Sequence, residues 1–203
     1  MPRLSEATSR SRREQIASAA LRCFARDGFA NTSMADIITE SGLSNGAIYS
    51  HFANKSELVR FTATSLLESR TRKFTADIAA GQTDMTPGQV FTRMVTELVD
   101  RSQAAILVQI WADIPRDEEI AAVSAHNLDR LHQLLVTALL PWARSRAQEI
   151  GGNHDEVVGP VADALLAAIQ GYVVRLCIDS AIDPEALAER IAATLDGAPT
   201  ARS

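Results

Sequence analysis

One stretch, residues 33–58, restricts this chain more than any other. Two short helical segments, 34–40 and 45–50, are separated by Ser41-Gly42-Leu43-Ser44. Ser33 followed by Asp36 has capping-box spacing, so a helix begins at Met34. Gly42 stands where a left-handed residue ends that helix, because without a Cβ it takes positive φ freely. Ser44 then caps a second helix by accepting from its orphan N–H groups. Helix, glycine-containing turn and helix form the unit that lays its second helix in the DNA major groove.

The second helix carries little apolar surface. Asn45, Gly46, Ala47, Ser50 and His51 are small or polar, and Leu43, Ile48 and Phe52 are the inward residues. Such a helix suits contact with another polar surface; the plain alternative is a short solvated helix. A net charge of −5 first argues against a polyanionic partner. Its distribution answers the objection: residues 1–60 hold eight Lys+Arg against six Asp+Glu, and the remaining chain holds twelve against nineteen. Phosphate attraction is local, since charges beyond a Debye length of ~8 Å are largely screened at physiological salt.

In chain order, residues 1–11 read as a basic arm. Arg3 reads as a solvated terminus, whereas Arg10, Arg12 and Arg13 suit a phosphate or the minor groove. A first helix runs from about 11 to 26, with Ile16, Ala19, Ala20, Cys23 and Phe24 on one face, and Gly28 stops it. Asn54 and Glu57 cap a fourth helix from Lys55 to about Ala80. A lysine in a first helical turn opposes the helix dipole, unless a DNA phosphate sits there and is served by both.

Gly81-Gln-Thr-Asp-Met-Thr marks a boundary. Beyond it, Thr86, Pro87 and Gln89 open another helix. Residues 104–114 are apolar nearly all round, which indicates burial on several sides. Residues 117–148 form a long helix that Pro141 should kink or split. Residues 157–178 form a helix with an uncertain start at Gly159-Pro160, and Asp183-Pro184 caps a last one. No strand pattern appears. No apolar run reaches the ~18–20 residues of a membrane span, and the start lacks a signal-peptide core, so the expectation is a cytoplasmic protein with no membrane partner. Cys23 and Cys177 read as two buried, reduced hydrophobes.

Catalytic constellations are missing: there is no GxSxG elbow, glycine-rich phosphate loop or HExxH. The chain therefore reads as a non-enzyme with no cofactor. His126, Asp129 and His132 share a helix but lack the paired Glu-x-x-His motifs of a di-metal bundle, so they read as surface or pocket lining and no metal is expected.

Residues 12–58 resemble the TetR family of transcriptional regulators. The match runs through Ile16, Ala19, Ala20, Phe24, Gly28-Phe29, Thr32-Ser33-Met34, Ile37, Gly42-Leu43-Ser44, Gly46, Ile48-Tyr49, His51-Phe52, Lys55 and Glu57-Leu58. The run Ile48-Tyr-Ser-His-Phe, with Lys55 three residues later, is its most specific part. The resemblance implies an all-α fold, with a three-helix helix-turn-helix DNA-binding domain (12–72, reading unit 34–53) behind the arm 1–11. A helical ligand-binding and dimerisation domain (84–197) and a tail (198–203) follow.

The implied function is sequence-specific binding of double-stranded operator DNA by a homodimer, most often a repressor, released by a small-molecule effector. Ser33, Ser44, Asn45, Gly46, Ala47, Tyr49, His51 and Lys55 would face the DNA, with Asn45 and His51 at base edges and Tyr49 and Lys55 at phosphates. Helices 157–178 and 184–195 would build the dimer interface, although a buried intramolecular face would look the same. The middle helices would enclose a pocket with Gln109, Trp111, Gln170 and Arg175 as its polar groups. Arg175 has a competing and preferred reading, an ion pair with Asp163, Asp179 or another acid. The alternative for the whole chain is a ligand-binding or enzymatic helical bundle that does not bind DNA.

Overall fold

The computed structural model describes residues 6–81, 84–150 and 152–197. Among these the chain is all-α, with no strand. The helices are α1 (Glu6–Asp27), α2 (Met34–Ser41), α3 (Asn45–Tyr49), α4 (Lys55–Ala79), α5 (Pro87–Leu98), α6 (Arg101–Asp113), α7 (Glu118–Ile150), α8 (His154–Ile178) and α9 (Pro184–Leu195), with a 3₁₀ turn at Ile114–Arg116. They form two compact units that interleave in sequence. The first joins the chain up to Leu67 with Ala105–Ala125; the second joins Glu68–Ala104 with the chain from His126. A reading in chain order places 105–125 with the rest of 84–197, whereas the structure packs it with the N-terminal helices.

In the first unit, the stripe Ile16, Ala19, Ala20, Cys23 and Phe24 is buried against Ile37 of α2, Ile48 of α3, Phe52 and Leu58. Ile106, Ile110 and Ile120 close the same core from the second sequence segment. Burying a side chain of this size removes ~1.5–3 kcal/mol worth of apolar exposure, so three such residues are a substantial part of the unit's cohesion. α1 begins at Glu6, so residues 6–11 of the expected arm are helical; Arg3 lies outside the described residues.

In the second unit, α5 packs on α8 and α9, with the Phe91 ring edge-on to Tyr172 at 6.0 Å. Thr86 and Gln89 form the capping box read from their spacing, and Asp183 caps α9. Arg101 closes the end of α8 by donating to the carbonyls of Leu176 (2.8 Å), Asp179 (3.1 Å) and Ile182.

α7 and α8 differ from their sequence reading. α7 runs unbroken through Pro141, because Leu135, Ala138, Leu139 and Ala143 are fully buried on both sides of it and their packing outweighs one missing backbone bond. α8 starts at His154, where Asn153 accepts from the Asp155 N–H, and it includes Pro160. By length and composition α8 is also long and apolar enough to cross a membrane, because its few interspersed charges leave it apolar on average. Cys177 is exposed, unlike Cys23. The tail 198–203 lies outside the described residues.

Candidate nucleic-acid interface

The turn between α2 and α3 is built from the caps that its sequence demands. The Ser33 hydroxyl accepts from the Asp36 N–H at 3.2 Å, and the Asp36 carboxylate accepts from the Ser33 N–H at 2.7 Å. The Ser33 hydroxyl also donates to that carboxylate at 2.6 Å, and this bond first, then the one from the Ser33 N–H, holds the Asp36 carboxyl below the usual carboxylate range. Gly42 takes φ 68°, and its N–H donates to the Thr39 carbonyl. From α1, Gln15 donates to the Ser41 carbonyl at 3.3 Å, tying the end of α2 to the first helix. Ser44 then caps α3 by accepting from the Ala47 N–H at 3.3 Å.

α3 is five residues long and buries one side chain, Ile48. A helix this short does not stand alone in water, so its placement depends on that anchor and on its caps. Ser44, Asn45, Gly46, Tyr49 and Ser50 are exposed, Tyr49 at 48%, and Ala47 and His51 are half-buried. Ser50 spends its hydroxyl on the Ala47 carbonyl. The side chains of Asn45, Tyr49 and His51 make no hydrogen bond to another described residue. Three groups able to donate and accept thus stand on or beside a helix that offers the core one isoleucine, which is what base-edge and phosphate contacts require. Ser33 and Ser44 are exposed too, with their hydroxyls engaged as caps.

The cations are placed differently from their sequence reading. Arg13 is turned inward: its guanidinium lies 4.6 Å from both the Phe52 and Phe61 ring centroids, and Nη2 is 3.9 Å from the Glu57 carboxylate. Arg10 pairs with Glu14 and Arg12 donates to Gln15, both on the surface. Lys55 is also turned inward. Its ammonium donates to the Phe29 carbonyl and lies 4.1 Å from the Phe29 ring centroid. Burial pulls its pKa below the usual lysine value, and the charge of Asp113 pushes it back up. The free ammonium expected for a DNA phosphate is therefore already engaged within the protein.

The four groups read as pocket lining are not gathered in one unit. Gln109 and Trp111 belong to the first unit, Gln170 and Arg175 to the second. Gln109 Oε1 accepts from the Phe29 N–H at 2.5 Å. Trp111 and Gln170 are half-buried. Arg175 is exposed and lies 3.8 Å from Asp179, one of the two acids its ion-pair reading named. At that exposure the pair contributes little. His132, on α7, lies 3.2 Å from Asp163 of α8.

Residues 16–60 match the family model described as bacterial regulatory proteins, tetR family. The transcriptional regulator TtgR of Pseudomonas putida is 44% identical over 69 residues, 34% of this chain and 33% of that protein. The aligned stretch thus spans about a third of that relative's length. Among solved structures, GusR of Salmonella enterica matches with a TM-score of 0.66 at 25% identity, covering 97% of this chain and 96% of its own. A transcriptional regulator from Saccharomonospora viridis in complex with choline matches with a TM-score of 0.67 at 21% identity, covering 93% and 95%.

Proposed function

We propose that this chain, whose residues 16–60 match the tetR family model, is a cytoplasmic, homodimeric TetR-type regulator that binds operator DNA through α3 and is released by a small molecule. The observation that carries the reading is the exposed face of α3, where Asn45 and Tyr49, with His51 just beyond, present uncommitted hydrogen-bonding groups while Ile48 alone faces the core. Asn45 and His51 read base edges, and Tyr49 reaches a phosphate. Ser33, Ser44, Gly46 and Ala47 line the approach. Affinity purification of fragmented genomic DNA with the pure protein tests it: sequence-selective retention is expected, and uniform recovery counts against it.

Dimerisation rests on α8. Only 33% of its most apolar 18-residue window is buried within the chain, and Ala164, Ala167 and Gly171 are exposed along it. A second copy covers such a face at low cost, and two copies place two reading helices in successive major grooves ~34 Å apart. The effector reading rests on the choline complex of the Saccharomonospora viridis protein. An effector acts by binding one arrangement of the dimer more tightly than the other.

Gly46 gives this reading a sharp test. A Cβ built there meets nothing within 4 Å, so no contact inside the protein calls for a glycine. Gly46→Ala should leave the thermal midpoint unchanged or raise it, as glycine inside a helix costs roughly 0.5–1 kcal/mol relative to alanine. Binding to the retained DNA should weaken about tenfold, because a methyl pressed against a groove wall costs ~1–3 kcal/mol. Undiminished affinity would place the duplex elsewhere.

A further inference from the structure

Phe29 is held from every side. It follows Gly28, whose φ is +83°, and it is 6% exposed. Its N–H donates to Gln109 Oε1 on α6, and its carbonyl accepts from Lys55 at the first residue of α4. Its ring lies under the same ammonium and edge-on to Phe24 at 5.3 Å. Gln109 Oε1 sits 3.3 Å from where a Cβ on Gly28 would stand, so the glycine also leaves room for the amide. The turn passes this placement onward. The N–H and hydroxyl of Thr32 both donate to the Gly28 carbonyl, at 3.2 and 2.8 Å, and the next residue, Ser33, caps α2. α2 carries the Gly42 turn that aims α3.

We infer that Gln109 and Lys55 are positioning residues for DNA recognition: they clamp Phe29 by its N–H, its carbonyl and its ring, and so fix α2 and α3 without touching the duplex. The inference rests on the DNA-binding reading above. For Lys55 it replaces a phosphate contact, since an ammonium bonded to a carbonyl and stacked on a ring must abandon both to reach a phosphate. For Gln109 it gives a reading-unit role to a residue 80 positions from its partner. An unpaired buried N–H is costly, so a chain without the amide favours arrangements in which the turn opens to water.

The test uses a DNA fragment retained by the full-length wild type and measures affinity across a salt series. Lys55→Met, Gln109→Leu, Gln109→Glu and the Lys55→Met/Gln109→Leu double variant are compared, with the folded fraction of each set by circular dichroism. Lys55→Met and Gln109→Leu should each weaken binding about tenfold per folded molecule. The slope of log K against log salt should stay at the wild-type value. The double variant should lose about the same tenfold rather than the product, because both changes release one turn. Gln109→Glu keeps an acceptor and should bind like wild type. A Lys55→Met slope flatter by about one unit makes the lysine a phosphate contact and overturns the inference. Wild-type affinity in Gln109→Leu, or losses explained by unfolded protein alone, overturns it as well. A wild type that retains no sequence removes the functional reading and this inference together; a wild type that binds beside an indifferent Gln109→Leu removes this inference alone.

Discussion

Gly88→Ala is expected to destabilise the second unit by about 3 kcal/mol, with a thermal midpoint lower by about 6–12 °C. Gly88 is the second residue of α5, where its N–H donates to Asp196 Oδ1 at 2.7 Å while the Thr86 hydroxyl donates to Asp196 Oδ2 at 2.8 Å. The carboxylate from the end of α9 thus seals the start of α5, where the helix dipole favours an anion. A Cβ at position 88 would lie 2.6 Å from Asp196 Oδ2 and nearer still to the Ala192 carbonyl oxygen. That carbonyl cannot yield easily, because it accepts from the Asp196 N–H in the last turn of α9. Gly159→Ala is the control, since a Cβ there meets nothing within 4 Å. Thermal unfolding of the two variants beside wild type decides the matter, and equal midpoints would mean that α5 and α9 are not in this contact.

Ile48→Ala should cost about 2–5 kcal/mol in the first unit and abolish measurable DNA binding. Ile48 is fully buried, and it is the one side chain that α3 commits to the core. Its loss leaves a five-residue helix held by the Ser44 cap and the backbone bonds Ile48 N–H to Ser44 and Phe52 N–H to Ile48. Five residues are too few to persist on propensity. Amide hydrogen exchange localises the effect: protection at Ile48 and Phe52 should fall well before that at Ile16 or Phe24 in α1. Uniform loss would mean that α3 has no separate dependence on its anchor. Full DNA affinity in this variant would mean that α3 is not the reading element.

What the sequence discloses about this fold is local. The Ser33–Asp36 box, Gly42, the Ser44 cap, the Thr86–Gln89 box and the Asp183 cap all join residues within four positions, so their spacing alone identifies them. The stripe of α1 is legible for the same reason, since a helical period records which face is buried. Contacts between distant segments leave no such trace. Nothing near Gln109 marks it as the acceptor for Phe29, and nothing near Arg13 marks it as the filling between Phe52 and Phe61. A cation in a helix that leads to a helix-turn-helix unit looks the same whether it faces phosphate or an aromatic ring. The assignment of 105–125 to the first unit is hidden likewise, because an apolar segment advertises burial but not its partner. At Arg175 the apolar neighbours along the chain hide the exposure, because a helix turns each neighbour to a different side and leaves the arginine at the surface, 3.8 Å from Asp179.

The most direct measurement of the central claim is selection of bound duplexes from a random pool, sequenced for wild type and for Asn45→Ala. If the exposed face of α3 reads base edges, wild type returns a two-fold symmetric motif. The variant should return that motif relaxed at one position in each half-site, by the ~1–3 kcal/mol that a base contact carries. A motif identical in both proteins, or none in wild type, contradicts the account.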